Sequence, residues 1–152
     1  MTARPDLVRI DDLIVDGRLR PQRADPFILP NMLEAAARDL EAARANDLTF
    51  PSWAMSMRYE AGLRCARIIV QAAGYRIAAD RGHVTAIDAA DTLTEGRHHL
   101  TFVRLHRMRR MRHEFMYEVG ADPSIQDLDL ARQDVTMLIT LAKAAVDGLQ
   151  GP

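Results

Sequence analysis

Residues 123–149 read PSIQDLDLARQDVTMLITLAKAAVDGL, and this stretch decides the fold because its apolar residues have regular helical spacing. They recur every three or four positions and so lie on one face of a helix with 3.6 residues per turn. The apolar positions are Leu128, Ala131, Val135, Leu138, Ala142, Ala145 and Leu149. Ser124 and Asp127 have the spacing of a capping box, which satisfies free N–H groups at a helix start. The stretch predicts a long helix that begins at Pro123-Ser124 and packs one face against a core.

The same helical period continues backward along the chain as far as Pro30 and predicts four more helices. In chain order they are a helix from Asn31 (with Glu34 at the capping-box position), a helix from Pro51 to Gly74, a short helix from Thr85, and a long helix from about Gly96 to Val119. Residues 1–29 are punctuated by glycine and proline, and we expect an irregular or partly ordered N-terminal arm. Residues 30–152 are predicted to form an all-α domain, an antiparallel up-and-down four-helix bundle with a short extra helix.

Composition narrows the class of protein. The chain has 152 residues, enough for one domain, and a formal net charge of −1, which argues against a wholly basic nucleic-acid coat protein. Cys65 is the only cysteine and cannot form an internal disulfide. No apolar run approaches the ~18 residues of a membrane span, and no signal peptide is recognised at the N-terminus. We expect a cytoplasmic protein without membrane contact.

Residues 97–113, RHHLTFVRLHRMRRMRH, are the chemically distinctive stretch, with six arginines, four histidines and no acid. Guanidinium groups bind phosphate oxygens bidentately and keep their charge, and histidine exchanges protons near neutral pH. The candidate phosphate-binding or RNA-binding residues are Arg107, Arg109, Arg110 and Arg112. The alternative is a solvated face whose charges pair with the acidic residues that follow it. The histidine spacing does not suit a metal, so we expect neither a metal site nor a cofactor.

The fourth predicted helix carries more apolar residues than one core face needs. Phe102 and Met116 lie off its main apolar stripe. We therefore predict that these two residues form the interface of a homodimer.

Two segments resemble the HEPN superfamily of small helical prokaryotic proteins. The first runs from Tyr59 to Arg76 and continues at Arg81–Ile87, and the second is Arg109–Tyr117. The resemblance covers roughly residues 31–149. It implies a four-helix bundle that dimerises and brings two copies of the second segment into one cleft.

Active HEPN proteins are metal-independent endoribonucleases of toxin–antitoxin and defence systems, so the resemblance implies an activity on RNA. Their signature is an arginine, a polar residue, three variable residues and a histidine. Matched to it, Arg112 is the arginine, His113 is the polar residue, and Tyr117 occupies the position of the histidine. These three residues are the candidate catalytic residues.

The substitution of tyrosine for histidine leaves several alternatives open. Cleavage through the RNA 2′-hydroxyl needs a base, an acid and positive charge near the phosphorus, and an imidazole suits the proton transfer better than a phenol of pKa ~10. In the first alternative, His113 transfers the proton. In the second, cleavage proceeds by charge stabilisation alone. In the third, the site is inactive and only binds a ligand. The leading hypothesis is an RNA-acting protein, with an antitoxin as a candidate partner. The rival is a non-catalytic nucleotide-binding or partner-binding dimerisation module, such as the companion of a nucleotidyltransferase that modifies Tyr117.

Overall fold

The computed structural model describes residues 5–78, 80–117 and 122–149, apart from the side chains of residues 113 and 115–117. The elements are α1 (Ile10–Val15), β1 (Leu19–Pro21), α2 (Ile28–Asn46), α3 (Pro51–Ala72), β2 (Tyr75–Ile77), α4 (Gly82–Leu93), α5 (His99–Tyr117) and α6 (Ile125–Leu149). The all-α prediction is confirmed, and the up-and-down order of the bundle stays a prediction. Within these residues, no helix combines the length and apolarity that a membrane crossing requires.

Helix α3 is the central helix of the bundle and packs against α2, α4, α5 and α6. Buried residues occupy most of its circumference, because small side chains such as Ala61 and Ala66 let neighbouring helices approach closely. Gly62 lies at the tightest approach, where an added Cβ would be 2.8 Å from the Leu105 side chain of α5 and 3.3 Å from that of Leu138 on α6. The close packing of α5 on α3 determines which side chains meet at the site described below.

The start of α6 confirms the predicted capping box. The Ser124 N–H donates to the Asp127 carboxylate at 3.1 Å, and the Asp127 N–H donates to the Ser124 hydroxyl at 3.0 Å. The two side chains satisfy each other's backbone N–H groups, so the helix begins at Ile125 as the sequence predicts.

Two predicted helix starts are wrong by three residues. Helix α2 begins at Ile28 rather than after Asn31, because the Asp25 carboxylate accepts hydrogen bonds from the N–H groups of Phe27 and Ile28. Helix α4 begins at Gly82, and Thr85 lies inside it, where its hydroxyl accepts a hydrogen bond from Arg18 Nε at 2.9 Å. The Asp25 contact accounts for the earlier start of α2, whereas α4 begins without a side-chain cap directly after Arg81, which has a left-handed backbone conformation.

The N-terminal segment, predicted as an irregular or partly ordered arm, contains α1 and β1 and packs on the bundle. Leu13 and Leu19 are buried. Strand β1 pairs antiparallel with β2 to form a two-stranded ribbon, in which Leu19 lies opposite Ile77 and Arg20 lies opposite Arg76. The ribbon attaches the segment beside the connection between α3 and α4.

Candidate cationic site

The basic side chains of α5 pair with acids on three other helices. The pairs in the described residues are Arg104–Asp134, His106–Asp88, His99–Asp91 and Arg112–Glu60. Arg104 binds Asp134 of α6 bidentately, with both N–O distances at 2.7 Å. Asp134 follows α5 in the sequence, but the other three partners lie on the earlier helices α3 and α4, so these contacts tie α5 to three helices instead of pairing only with the acids that follow it.

Arg109 and Arg112 of α5 interact with residues in the middle of α3. Arg112 Nη1 lies 2.7 Å from Glu60 Oε1, and the guanidinium carbon of Arg112 is 5.6 Å from the centroid of the Tyr59 ring. This geometry is a cation–π contact as well as an ion pair. Arg109 is half-buried, and its Nε is buried with no hydrogen-bond partner among the described residues.

Beneath these arginines, a tyrosine and a histidine from two different helices are joined. The hydroxyl of Tyr59, which is fully buried on α3, lies 2.9 Å from Nδ1 of His83 in the first turn of α4. The two rings are tilted at 42° with centroids 6.0 Å apart. Arg67, two turns beyond Tyr59 on α3, acts electrostatically on both rings together with Arg109 and Arg112. We call Tyr59, Glu60, Arg67, His83, Arg109 and Arg112 the Tyr59–His83 cluster.

The protonation states follow from burial and from the neighbouring charges. Burial raises the pKa of Tyr59 to about 12, with a further increase from Glu60, while Arg109, Arg112 and Arg67 oppose the increase. Burial also lowers the pKa of His83, as do Arg67, Arg112 and Arg109, while Glu60 opposes them. Near neutral pH the cluster therefore holds a neutral phenol, a neutral imidazole, three guanidinium ions and one carboxylate.

Chemically, this arrangement is suited to an anion. Three positive charges face one negative charge, so the local charge is positive, although the whole chain is close to neutral. The hydrogen bond between the Tyr59 hydroxyl and Nδ1 fits either tautomer of His83, and where Nδ1 carries the ring proton and donates to the Tyr59 oxygen, Nε2 keeps a free lone pair and makes no hydrogen bond within the described residues. In that tautomer the neutral imidazole can accept a proton from a bound group through Nε2.

The predicted site residues divide into three groups. Arg109 and Arg112 meet in the cluster, whereas Arg107 and Arg110 have exposed side chains. Arg107 instead lines a small groove with Arg104 and Met111. The predictions for the side chains of His113, Met116 and Tyr117 lie outside the described residues.

The predicted role of Phe102 in a dimer interface is wrong. Phe102 is 1% exposed and belongs to the core of its own bundle. The exposed apolar residues of α5 are Leu100 at 67% and Val103 at 42%. Part of the apolar excess of α5 is thus buried inside its own bundle, in which α3 buries residues on most of its circumference.

Sequence reasoning assigned no site role to Tyr59, Glu60, Arg67 or His83. Tyr59 fits the apolar stripe of α3, and that position by itself indicates a packing role. The available signal is a polar stripe on a helix that is otherwise apolar, formed by Glu60, Arg64, Arg67 and Gln71 at spacings of 4, 3 and 4. Such a stripe on a central helix indicates a polar site at an edge of the core.

The chain has no match among known proteins: no family model, no curated protein and no solved structure matches it. The fold and the cluster define it as an all-α protein with a positively charged, histidine-containing site.

Proposed function

We propose that the chain is a HEPN-like protein that acts on RNA and holds the RNA phosphates with Arg109 and Arg112. The observation that carries the proposal is the convergence of Arg67, Arg109 and Arg112 on the Tyr59–His83 pair, with Glu60 as the opposing carboxylate. Guanidinium ions in a partly buried setting bind phosphate more strongly than exposed ones, because water screens them less.

The unpartnered Nε of Arg109 supports the same proposal. A buried N–H without an acceptor costs about 1–3 kcal/mol, so an acceptor from outside would relieve that cost. A phosphate oxygen is an acceptor that carries charge, and it would complete the hydrogen bonding of this side chain. Arg107 and Arg110, exposed on the same helix, add positive charge that attracts a polyanion.

RNA binding is tested by fluorescence anisotropy with a short labelled single-stranded RNA at low and moderate salt. We expect Arg109→Ala and Arg112→Ala each to weaken binding about tenfold, the loss of one charge-assisted hydrogen-bonding group. Arg97→Ala is the matched control, because Arg97 is an exposed arginine just before α5 that pairs with Glu95. Equal RNA affinity in all three variants and the parent would contradict the proposal.

RNA cleavage without metal is a second candidate function, favoured by the neutral imidazole of His83 beside Arg112. An imidazole of lowered pKa is unprotonated at neutral pH and can accept the proton of a 2′-hydroxyl, while the arginines stabilise the charge that develops on the phosphate. His113 and Tyr117 remain the residues that the HEPN resemblance assigns to this chemistry.

Cleavage is tested with purified protein and labelled RNA in excess chelator. We expect His83→Gln and Arg112→Ala to abolish cleavage, while His106→Gln retains it, since His106 pairs with Asp88 away from the cluster. His113→Gln is assayed in parallel for the assignment made from the sequence. Intact RNA with the parent protein would leave the binding function and eliminate the enzyme.

We also propose that the protein forms a homodimer, as the HEPN resemblance implies. Leu100 and Val103 support it, because these exposed apolar residues lie one turn apart on α5. If the protein is instead a non-catalytic binding module, this apolar surface binds a partner protein such as an antitoxin or a nucleotidyltransferase.

A further inference from the structure

A second cationic feature lies on the other side of His83, between the ribbon, α3 and the start of α4. It is a cavity of about 490 Å3, within the range of small-molecule sites. Its polar and larger side chains are Gln22, Met32, Arg67, Gln71, Arg76 and His83. No carboxylate lines it, and neither Arg67 nor Arg76 has an ion-pair partner among the described residues.

The register of the ribbon also favours anion binding at this cavity. Arg20 of β1 and Arg76 of β2 are directly opposite each other in the antiparallel register. Like charges at opposite positions destabilise a strand pair, and neither arginine has an ion-pair partner among the described residues. A bound anion at the cavity would offset the repulsion at Arg76.

The start of α4 contributes to the same cavity. Gly82 and His83 are its first two residues and both line the cavity, and no side chain caps the helix there. The unpaired N–H groups of a helix start favour a negative ligand. This contribution adds to the two guanidinium groups, which lie on separate elements.

We propose that this cavity binds a nucleoside monophosphate, with the phosphate on Arg67 and Arg76 and the nucleoside against Met32 and the two glutamines. Two arginines from different elements suit a phosphate dianion, which accepts several hydrogen bonds at once. The Gln22 and Gln71 amides can donate to and accept from base edges or ribose hydroxyls, and Met32 and Ile77 provide apolar surface for a base. The ligand is a free mononucleotide or the phosphorylated end of an RNA.

The inference does not rest on the proposed function, since Arg76, Gln22 and Gln71 are not part of the Tyr59–His83 cluster. Arg67 and His83 nevertheless belong to both, because both line the cavity, Arg67 acts electrostatically on the Tyr59–His83 pair, and His83 hydrogen-bonds to Tyr59. A ligand in the cavity therefore contacts the residue that adjoins the proposed RNA phosphate site.

The experiment is isothermal titration calorimetry of the full chain with the four ribonucleoside 5′-monophosphates, the matching nucleosides and inorganic phosphate. We expect at least one monophosphate to bind with one-to-one stoichiometry and the nucleosides not to bind. Arg76→Ala should weaken binding about tenfold, and its exposed side chain makes loss of the fold an improbable explanation. Arg44→Ala is the matched control, an exposed arginine of α2 that pairs with Glu41.

Competition distinguishes the two sources of the phosphate. Displacement of the mononucleotide by a 5′-phosphorylated oligoribonucleotide, but not by its 5′-hydroxyl counterpart, identifies an RNA end, and no displacement by either identifies the free nucleotide. The inference is overturned if no monophosphate binds, if inorganic phosphate binds as tightly as every nucleotide, or if Arg76→Ala binds as the parent does. RNA anisotropy with Arg76→Ala separates the proposals, because RNA binding through Arg109 and Arg112 would persist when the cavity is lost.

Discussion

At the scale of single residues, His83 carries the most information about function. Its ring connects α4 to Tyr59 of α3, it is close to three arginines, and it lines the cavity beside the ribbon. A core histidine with a purely structural role would not need positive charge around it, because positive charge disfavours its protonated form. The surroundings of His83 lower its pKa and favour the neutral ring, and within the cluster Glu60 alone opposes the charge of the three arginines.

The protonation of His83 predicts a specific pH dependence of stability. Its folded-state pKa lies below the unfolded value of about 6.5, so between the two values the unfolded chain binds more protons. We expect the free energy of unfolding to fall as the pH drops below about 6.5 through the lowered pKa, because of burial, Arg67, Arg112 and Arg109, with Glu60 opposing them. Chemical denaturation across this pH range measures the effect.

The control for this prediction is a second histidine variant. His83→Gln should flatten the acid side of the stability profile, whereas His98→Gln, which makes no side-chain hydrogen bond in the described residues, should leave it unchanged. A direct readout is the imidazole resonance of His83, whose midpoint should lie below 6.5. A midpoint above that value would show that the charge balance around the ring is wrong.

At the scale of elements, the helices were predictable and their exact starts were not. The apolar spacing of α6 and the capping box of Ser124 and Asp127 are local signals, and both are found in the structure. The start of α2 depends on Asp25, which lies in the segment predicted as an irregular arm. The ribbon depends on a pairing between β1 and β2 across more than fifty residues, and no local period encodes such a pairing.

The candidate site was likewise predictable where its signal is local in the sequence, and not where it depends on contacts between helices. The basic stretch of α5 was evident from composition, and two of its arginines do reach the Tyr59–His83 cluster. Tyr59 and His83 meet only because α3 and α4 pack together, a tertiary contact that the spacing of neither residue reveals. The role of Phe102 was mistaken because the sequence does not show how many helices contact α3.

Close helix packing at Gly62 predicts an unequal response to the same substitution at two glycines. Glycine to alanine in a helix normally stabilises by about 0.5–1 kcal/mol. At Gly148 of α6 an added Cβ meets nothing within 4 Å, so we expect Gly148→Ala to show part or all of this gain. At Gly62 the added Cβ would meet the Leu105 side chain at 2.8 Å, so Gly62→Ala should lose about 1–3 kcal/mol relative to Gly148→Ala.

Thermal and denaturant unfolding of the two glycine variants measure this difference. Equal stabilisation at both positions would mean that α3 and α5 have room to separate at Gly62. In that case the contact that brings Arg109 and Arg112 to α3 would be looser than the structure indicates.

At the scale of the whole molecule, the distribution of charge is more informative than its total. The formal net charge is −1, yet the Tyr59–His83 cluster and the cavity beside the ribbon both carry excess positive charge. Acidic residues elsewhere balance them, so a neutral chain presents a cationic side. A coat-like nucleic-acid protein would be basic throughout, whereas the positive charge of this chain is confined to one region.

The dimer prediction belongs to this scale and is checked by analytical ultracentrifugation at micromolar concentration. We expect the parent chain to sediment as a dimer and Leu100→Glu with Val103→Glu to sediment as a monomer, because charged residues oppose burial of the apolar patch. Leu48→Glu is the control, since Leu48 is 91% exposed in the turn between α2 and α3. A monomeric parent chain would contradict both the dimer and a site shared by two protomers.

The facing arginines of the ribbon have a practical consequence for handling the protein. Repulsion between Arg20 and Arg76 is strongest in dilute buffer and is screened as ionic strength rises. The N-terminal segment attached by this ribbon should therefore be cleaved by proteases fastest in salt-free solution. Limited proteolysis with one added protease, at low and at moderate ionic strength, measures this difference.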